Sequence, residues 1–113
     1  MTLRQKDELL QGTLDMLVLK ALELGAMHGW GITERLAHGS EEVLQIGQGS
    51  LYPALYRLER QKLVKSEWRV TENNRRARYY SLTAAGRKRL TDERASWHRM
   101  SRAVDQVLGM TEA

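Results

Sequence analysis

Hydrophobic positions keep a helical rhythm through the first half of the chain, switch to strict alternation, and then return to a helical rhythm. Over residues 9–24, Leu10, Leu14, Leu17, Val18, Ala21 and Leu22 recur at three- and four-residue spacing, and Met16 and Leu19 widen the stripe. This predicts a helix that Gly25 closes. The stripe is broader than one packed neighbour requires, which leaves part of it for a second subunit. A tight segment at 25–31 leads into a second helix over 29–37, with Ile32 and Leu36 inward, Trp30 as a bulky anchor near its start and His28 as a cap or turn residue. Residues 38–46 mix Gly39, Ser40, Glu41 and Glu42 with Val43, Leu44 and Ile46, and read as a connector with a short extended part.

The third helical run, residues 47–62, has an unusual outer face. Leu51, Leu55 and Leu58 stack on one side, while Gly49, Pro53, Arg57 and Arg60 collect on the other with Ser50 and Tyr56 at its flanks. Its only acid, Glu59, sits near the edge of the apolar stripe. A start near Ser50 places Pro53 in the first turn, where backbone N–H groups have no intrahelical partner. Two readings stand side by side: a helix shaped for a DNA groove, and an ordinary amphipathic helix with solvated arginines.

The period then becomes two. Val64, Ser66, Trp68 and Val70 alternate with charged residues as in a half-buried strand, and a second strand follows over 77–82. The turn between them contains Asn73 and Asn74, which tolerate positive φ, and Arg75 and Arg76, so the hairpin has a basic tip. Thr83 is placed to cap a last helix over residues 84–108, whose face carries Leu90, Trp97, Met100, Val104, Val107 and Leu108. About 25 residues make a helix of about 37 Å. That exceeds what a core of this size covers, and burial against a second copy explains it better than folding back on its own domain. The predicted fold is mainly α with a small β-hairpin. Its order, three helices, a strand, a basic turn, a strand and a long helix, is that of a winged helix-turn-helix plus a long C-terminal dimerisation helix. Residues 1–83 form the DNA-binding part and 84–113 the dimerisation helix, within one compact unit.

Composition narrows the function classes. The 113 residues contain no cysteine, which removes disulfides, thiolate metal sites and thiol catalysis. No run approaches the roughly 20 apolar residues of a membrane span, and the N-terminus lacks a signal-peptide pattern, so a cytoplasmic protein is expected. The net charge of +4 is uneven: −2 over residues 1–60 and +6 over 61–113. That asymmetry is the footprint of a chain with one part facing a polyanion. His28, His38 and His98 are scattered without ligand spacing, and no phosphate loop or nucleophile motif occurs. Neither an enzyme, nor a metal site, nor a cofactor is expected.

Four segments in order, LLQGTLDMLVLKALELG (9–25), MHGWGI (27–32), QGSLYPALYRLE (48–59) and RRARYYSLTAAGR (75–87), make the chain resemble a PadR-family transcriptional regulator of the short, single-domain type. It departs at two positions: Trp30 stands where the family usually has tyrosine, and Lys62 where a glycine commonly ends the recognition helix. Lysine there must adopt the left-handed conformation, or the helix must end differently. The resemblance implies a homodimeric repressor on a pseudo-palindromic, double-stranded DNA operator. Ser50, Tyr52, Pro53 and Arg57 match the family's recognition-helix motif and become the expected base and phosphate contacts. Gln48 and Gly49 let the backbone approach the duplex, and Asn73, Asn74, Arg75 and Arg76 face its backbone or minor groove. The dimer interface is expected at Leu10, Leu14, Leu17, Leu90, Trp97, Met100, Val104, Val107 and Leu108. By resemblance the protein responds to a small aromatic or cationic effector, for which Trp97 and Met100 are the candidate contacts; the simpler reading has Trp97 only filling the interface. The competing class is a winged-helix protein–protein interaction module that does not bind DNA.

Overall fold

A computed structural model of the chain describes residues 11–110. Helix α1 (Gln11–Glu23) is followed by a two-residue strand β1 (Met27–His28), α2 (Gly29–Gly39), α3 (Gln48–Arg60), β2 (Val64–Val70), β3 (Arg76–Leu82) and α4 (Ala84–Leu108). The sheet is antiparallel in the order β1-β3-β2, with Met27 opposite Tyr80 and Val64 opposite Leu82. The expected mainly α fold with a hairpin and a long final helix is present. Strand β1 enlarges the hairpin to three strands.

One core joins these elements. Leu14, Val18, Leu19, Ala21 and Leu22 of α1 meet Ile32 and Leu36 of α2, and Leu51, Ala54, Leu55 and Leu58 of α3. Leu63, Val64, Tyr80 and Leu82 close it from the sheet, and Leu90 from α4. Burying side chains of this kind contributes about 1.5–3 kcal/mol each before entropy is counted. Gly25, at φ +133°, ends the first helical run as its position implied.

Helix α2 is capped by His28, whose Nδ1 accepts the Gly31 N–H at 3.0 Å. Its Trp30 is not the expected anchor: it is 64% exposed. The start of α2 packs through glycine instead. A Cβ on Gly29 would strike the Tyr52 ring, and one on Gly31 the Met27 side chain. Close backbone approach here turns residue 30 outward.

Helix α3 begins earlier than expected, with Gly47 as its N-cap. Pro53 therefore lies beyond the first turn, and the Gly49 carbonyl lacks the amide donor that an ordinary residue 53 would offer. The buried leucine face holds the helix together across this gap. At the far end Lys62 adopts φ +62°. Its N–H donates to Glu59 O at 3.0 Å, and Leu63 N–H donates to Leu58 O at 2.9 Å. These two bonds make a Schellman closure, with Leu58 and Leu63 in apolar register beneath it.

The hairpin leaves the core halfway along. Val64 is buried, but Trp68 and Val70, expected on a half-buried face, are 57% and 64% exposed. The Arg76 guanidinium lies over the Trp68 ring at 5.3 Å. At the tip Asn74 takes φ +58°, and Thr71 N–H donates to Arg75 O.

Thr83 caps α4 by accepting the Gly86 N–H at 3.0 Å, and its hydroxyl donates toward Lys62 O at 2.8 Å. Gly86 passes so close to Leu63 that an added Cβ would collide with the Leu63 carbonyl. Gly109, at φ +73°, ends the helix.

Two changes test this junction by denaturant unfolding. Gly86→Ala is expected to destabilise the fold by about 1–3 kcal/mol, because the obstacle is backbone that cannot swing aside. Lys62→Gly is expected to stabilise it by about 1 kcal/mol through relief of left-handed strain.

Candidate nucleic-acid interface

The buried leucines of α3 leave Gln48, Gly49, Tyr52, Pro53, Tyr56 and Arg60 on its exposed side. Nothing lies within 4 Å of a Cβ built on Gly49, so this glycine answers no internal packing need and leaves the helix start open to close approach. Gly47 contributes no side-chain cap, and the Gln48 and Gly49 N–H groups have no partner among the described residues. Unsatisfied N–H groups at a helix start favour an anion. Ser50 is half-buried on the same turn.

Tyr52 is 46% exposed, its ring leaning on Gly29 while one side faces outward. Tyr56, 62% exposed, carries the Arg60 guanidinium 5.7 Å from its ring centre. Helical phase had put Arg60 on this outer face and Tyr56 at its flank, but neither was named among the expected contacts.

Arg57 has a different environment from that of its neighbours. Its Nη2 donates to Asp15 Oδ1 at 2.7 Å, with Nε 3.4 Å from Oδ2, and its side chain is 28% exposed. The pair spans 42 positions and ties α3 to α1. Arg57 thus has a structural partner that its place in the sequence motif does not reveal.

The hairpin adds a second cationic surface. Asn73, Asn74, Arg75 and Arg76 are all exposed at its tip, and among the described residues no carboxylate pairs with either arginine. Arg78 and Arg69 are committed locally. Arg78 donates to Ser66 Oγ at 2.8 Å and lies 3.4 Å from Glu59, while Arg69 pairs with Glu67 at 2.6 Å and covers the Tyr79 ring. A groove of about 580 Å³ runs between the start of α2, Tyr52 and the hairpin. Burial pushes the Tyr80 hydroxyl on its wall above the ordinary phenol range, against the pull of the Arg78 charge.

The positions assigned to self-association separate into two sets. Leu14 and Leu90 are buried in the chain's own core, and Leu17 packs partly against it, so these residues offer a partner little or nothing. Leu10 lies outside the described residues. Trp97, Met100, Val104, Val107 and Leu108 are exposed along one side of α4. Trp97 and Met100 also line a cleft of about 260 Å³ against Gly12, Thr13 and Met16 of α1. Among the described residues no cluster has the make-up of a metal site, and no helix is long and apolar enough to cross a membrane.

A helix packed through leucines, carrying an open polar face and followed by a basic-tipped antiparallel hairpin, defines a winged helix-turn-helix regulator with a long C-terminal helix. The sequence pattern of the transcriptional regulator PadR-like family matches residues 18–92, and the chain belongs to that family. A transcriptional regulator of Mycobacterium tuberculosis is 39% identical over 79 residues, which is 69% of each chain. A solved transcriptional regulator from Clostridium thermocellum superposes with a TM-score of 0.77 at 26% identity, over 85% of this chain and 93% of that one. A PadR family transcriptional regulator from Eggerthella lenta gives 0.70 at 34% identity, over 87% and 80%.

The Arg57–Asp15 pair predicts a stability cost that an outward-facing arginine would not have. Arg57→Ala is expected to destabilise the fold by about 1–2 kcal/mol, since it leaves a partly buried carboxylate unpaired. A double-mutant cycle with Asp15→Ala should return a coupling near 1 kcal/mol.

Proposed function

We propose that the protein is a homodimeric repressor that binds a pseudo-palindromic operator, with α3 in the major groove and the hairpin against the backbone or minor groove. The observation that carries this reading is the alignment of two open surfaces. Gln48, Gly49, Tyr52 and Pro53 present a helix start whose first N–H groups have no partner among the described residues, and the hairpin tip adds Arg75 and Arg76, which pair with no acid among those residues. Both suit phosphate and base edges better than a neutral protein surface. Ser50 flanks the same face. Arg57 contributes by holding α3 against α1, and would reach a phosphate or base only by leaving Asp15.

Residues 84–113 serve as the dimerisation segment attached to the DNA-binding residues 1–83. The exposed stripe of Trp97, Met100, Val104, Val107 and Leu108 supports this, because so much apolar surface on one helix face is costly unless a second copy covers it. A two-fold pair places two copies of α3 on one duplex. The cleft of about 260 Å³ beside Trp97 and Met100 is the place we assign to a small aromatic or cationic effector, with Glu93 on its wall to suit a cation.

Two measurements test the reading. Binding to the chain's own upstream DNA is expected to weaken with salt, with a slope of about −5 to −7 in log K against log salt if each subunit neutralises three or four phosphates. A slope near zero, or no sequence-dependent shift in an electrophoretic assay, favours a protein-only interaction module instead. Val104→Glu with Val107→Glu is expected to convert the dimer to monomer in sedimentation and to cost at least tenfold in operator affinity, since two half-sites are then bound independently. Unchanged sedimentation would remove the stripe from the interface.

A further inference from the structure

The groove between the start of α2, Tyr52 and the hairpin contains two exposed tryptophans that the reading above does not use. Trp30 and Trp68 are 64% and 57% exposed, and both line the same space of about 580 Å³. They come from elements far apart in the sequence, one from the first turn of α2 and the other from the middle of β2. Neither is needed to fill the core, which closes without them.

The charge of the groove is one-sided. Its lining includes Arg75, Arg76 and Arg78, the last already paired with Glu59, with His28, Asn73, Tyr52 and Tyr80, but no aspartate or glutamate. The Arg76 guanidinium already lies over one face of Trp68. Apolar ring faces, cations and hydrogen-bond donors therefore share one trough. A DNA strand offers a partner for each: anionic phosphates and the apolar faces of deoxyriboses, repeated along the backbone.

We propose that this trough is a seat for one sugar–phosphate strand of the duplex, with Trp30 and Trp68 packing on deoxyribose faces while Arg75 and Arg76 take the phosphates between. The assignment rests on the DNA-binding reading above and adds two residues to it. It also gives the tryptophan at position 30 a use. An indole presents a larger apolar face than a phenol there, while the backbone contact of Gly29 with Tyr52 keeps that residue turned out of the core. The tryptophans act through apolar burial and the arginines through charge, so the two sets differ in their response to salt.

The test uses the full chain, a short mixed-sequence DNA duplex at low ionic strength, and intrinsic tryptophan fluorescence. The protein has three tryptophans, so Trp30→Phe with Trp68→Phe leaves only Trp97 to report. Duplex is expected to quench the wild-type signal and to leave that of the double variant unchanged, with the folded state checked by circular dichroism. Trp30→Ala and Trp68→Ala are each expected to weaken binding about tenfold, the loss expected for removing a buried ring face, with the salt slope unchanged. Arg76→Ala should instead lower the slope by about 0.9. Wild-type protein that binds no duplex would defeat the DNA-binding reading itself. Duplex binding with wild-type affinity in both alanine variants would overturn only the trough. Equal quenching by a free mononucleotide at matched phosphate concentration would also overturn it, since the space would then be a small-ligand pocket.

Discussion

The carbonyl of Leu63 is the point on which the arrangement depends. It accepts the Thr83 N–H at 3.1 Å and lies 3.1 Å from the Thr83 hydroxyl, and Gly86 passes it too closely for any side chain. One residue upstream, Lys62 turns the chain out of α3; one residue downstream, Val64 begins the ladder against Leu82. The end of α3, the root of the hairpin and the start of α4 thus share a few backbone atoms. A threonine that caps one helix while holding the exit of another leaves little freedom between them. The direction of α4 is in this way fixed relative to α3, and the separation of two α3 helices in a pair of copies would follow from how their α4 helices meet.

Ion pairing divides the arginines into two sorts. Arg57 is held by Asp15 across α1 and α3, and Arg78 by Glu59 and Ser66 across α3 and the hairpin. These cations set angles between elements. Ser66 also donates to the same Glu59 oxygen at 2.6 Å, so the hairpin is braced on α3 by a three-member network. Arg75 and Arg76, beyond the brace, have no such internal partner among the described residues. Most of the chain's positive charge lies after residue 60, but only the part that is not consumed in bracing is available to a polyanion. A charge count along the sequence cannot make that distinction, because the acids that neutralise Arg57 and Arg78 lie 42 and 19 positions away.

The same locality argument explains what was legible beforehand. The leucine faces of α1 and α3, the positive φ at Asn74, the Thr83 cap and the length of α4 each depend on residues within a turn or two, and each could be read from the sequence. Strand β1 could not, since two residues carry no period and their pairing with Tyr79 and Tyr80 is non-local. Trp30 was misplaced because a large ring near a helix start usually means an anchor. Here the core is reached through the glycines on either side of it. Pro53 was placed in a first turn because proline favours one, yet a buried leucine face outweighs the missing hydrogen bond and lets the helix start at Gln48.

That early start has a consequence for the interface. Because Gly47 is the N-cap, the free N–H groups fall on Gln48 and Gly49, ahead of Tyr52 rather than beside it. With Pro53 supplying no N–H, the Gly49 carbonyl also lacks its usual donor four residues on. A donor pair and an acceptor without its regular helical donor, all within one turn, present both polarities to whatever approaches. Phosphate oxygens need the donors, and a base edge with an amino group can use the acceptor. An ordinary residue at 53 would have closed that carbonyl into the helix, so the proline widens the hydrogen-bonding range of a surface that side chains alone would leave mostly aromatic and cationic.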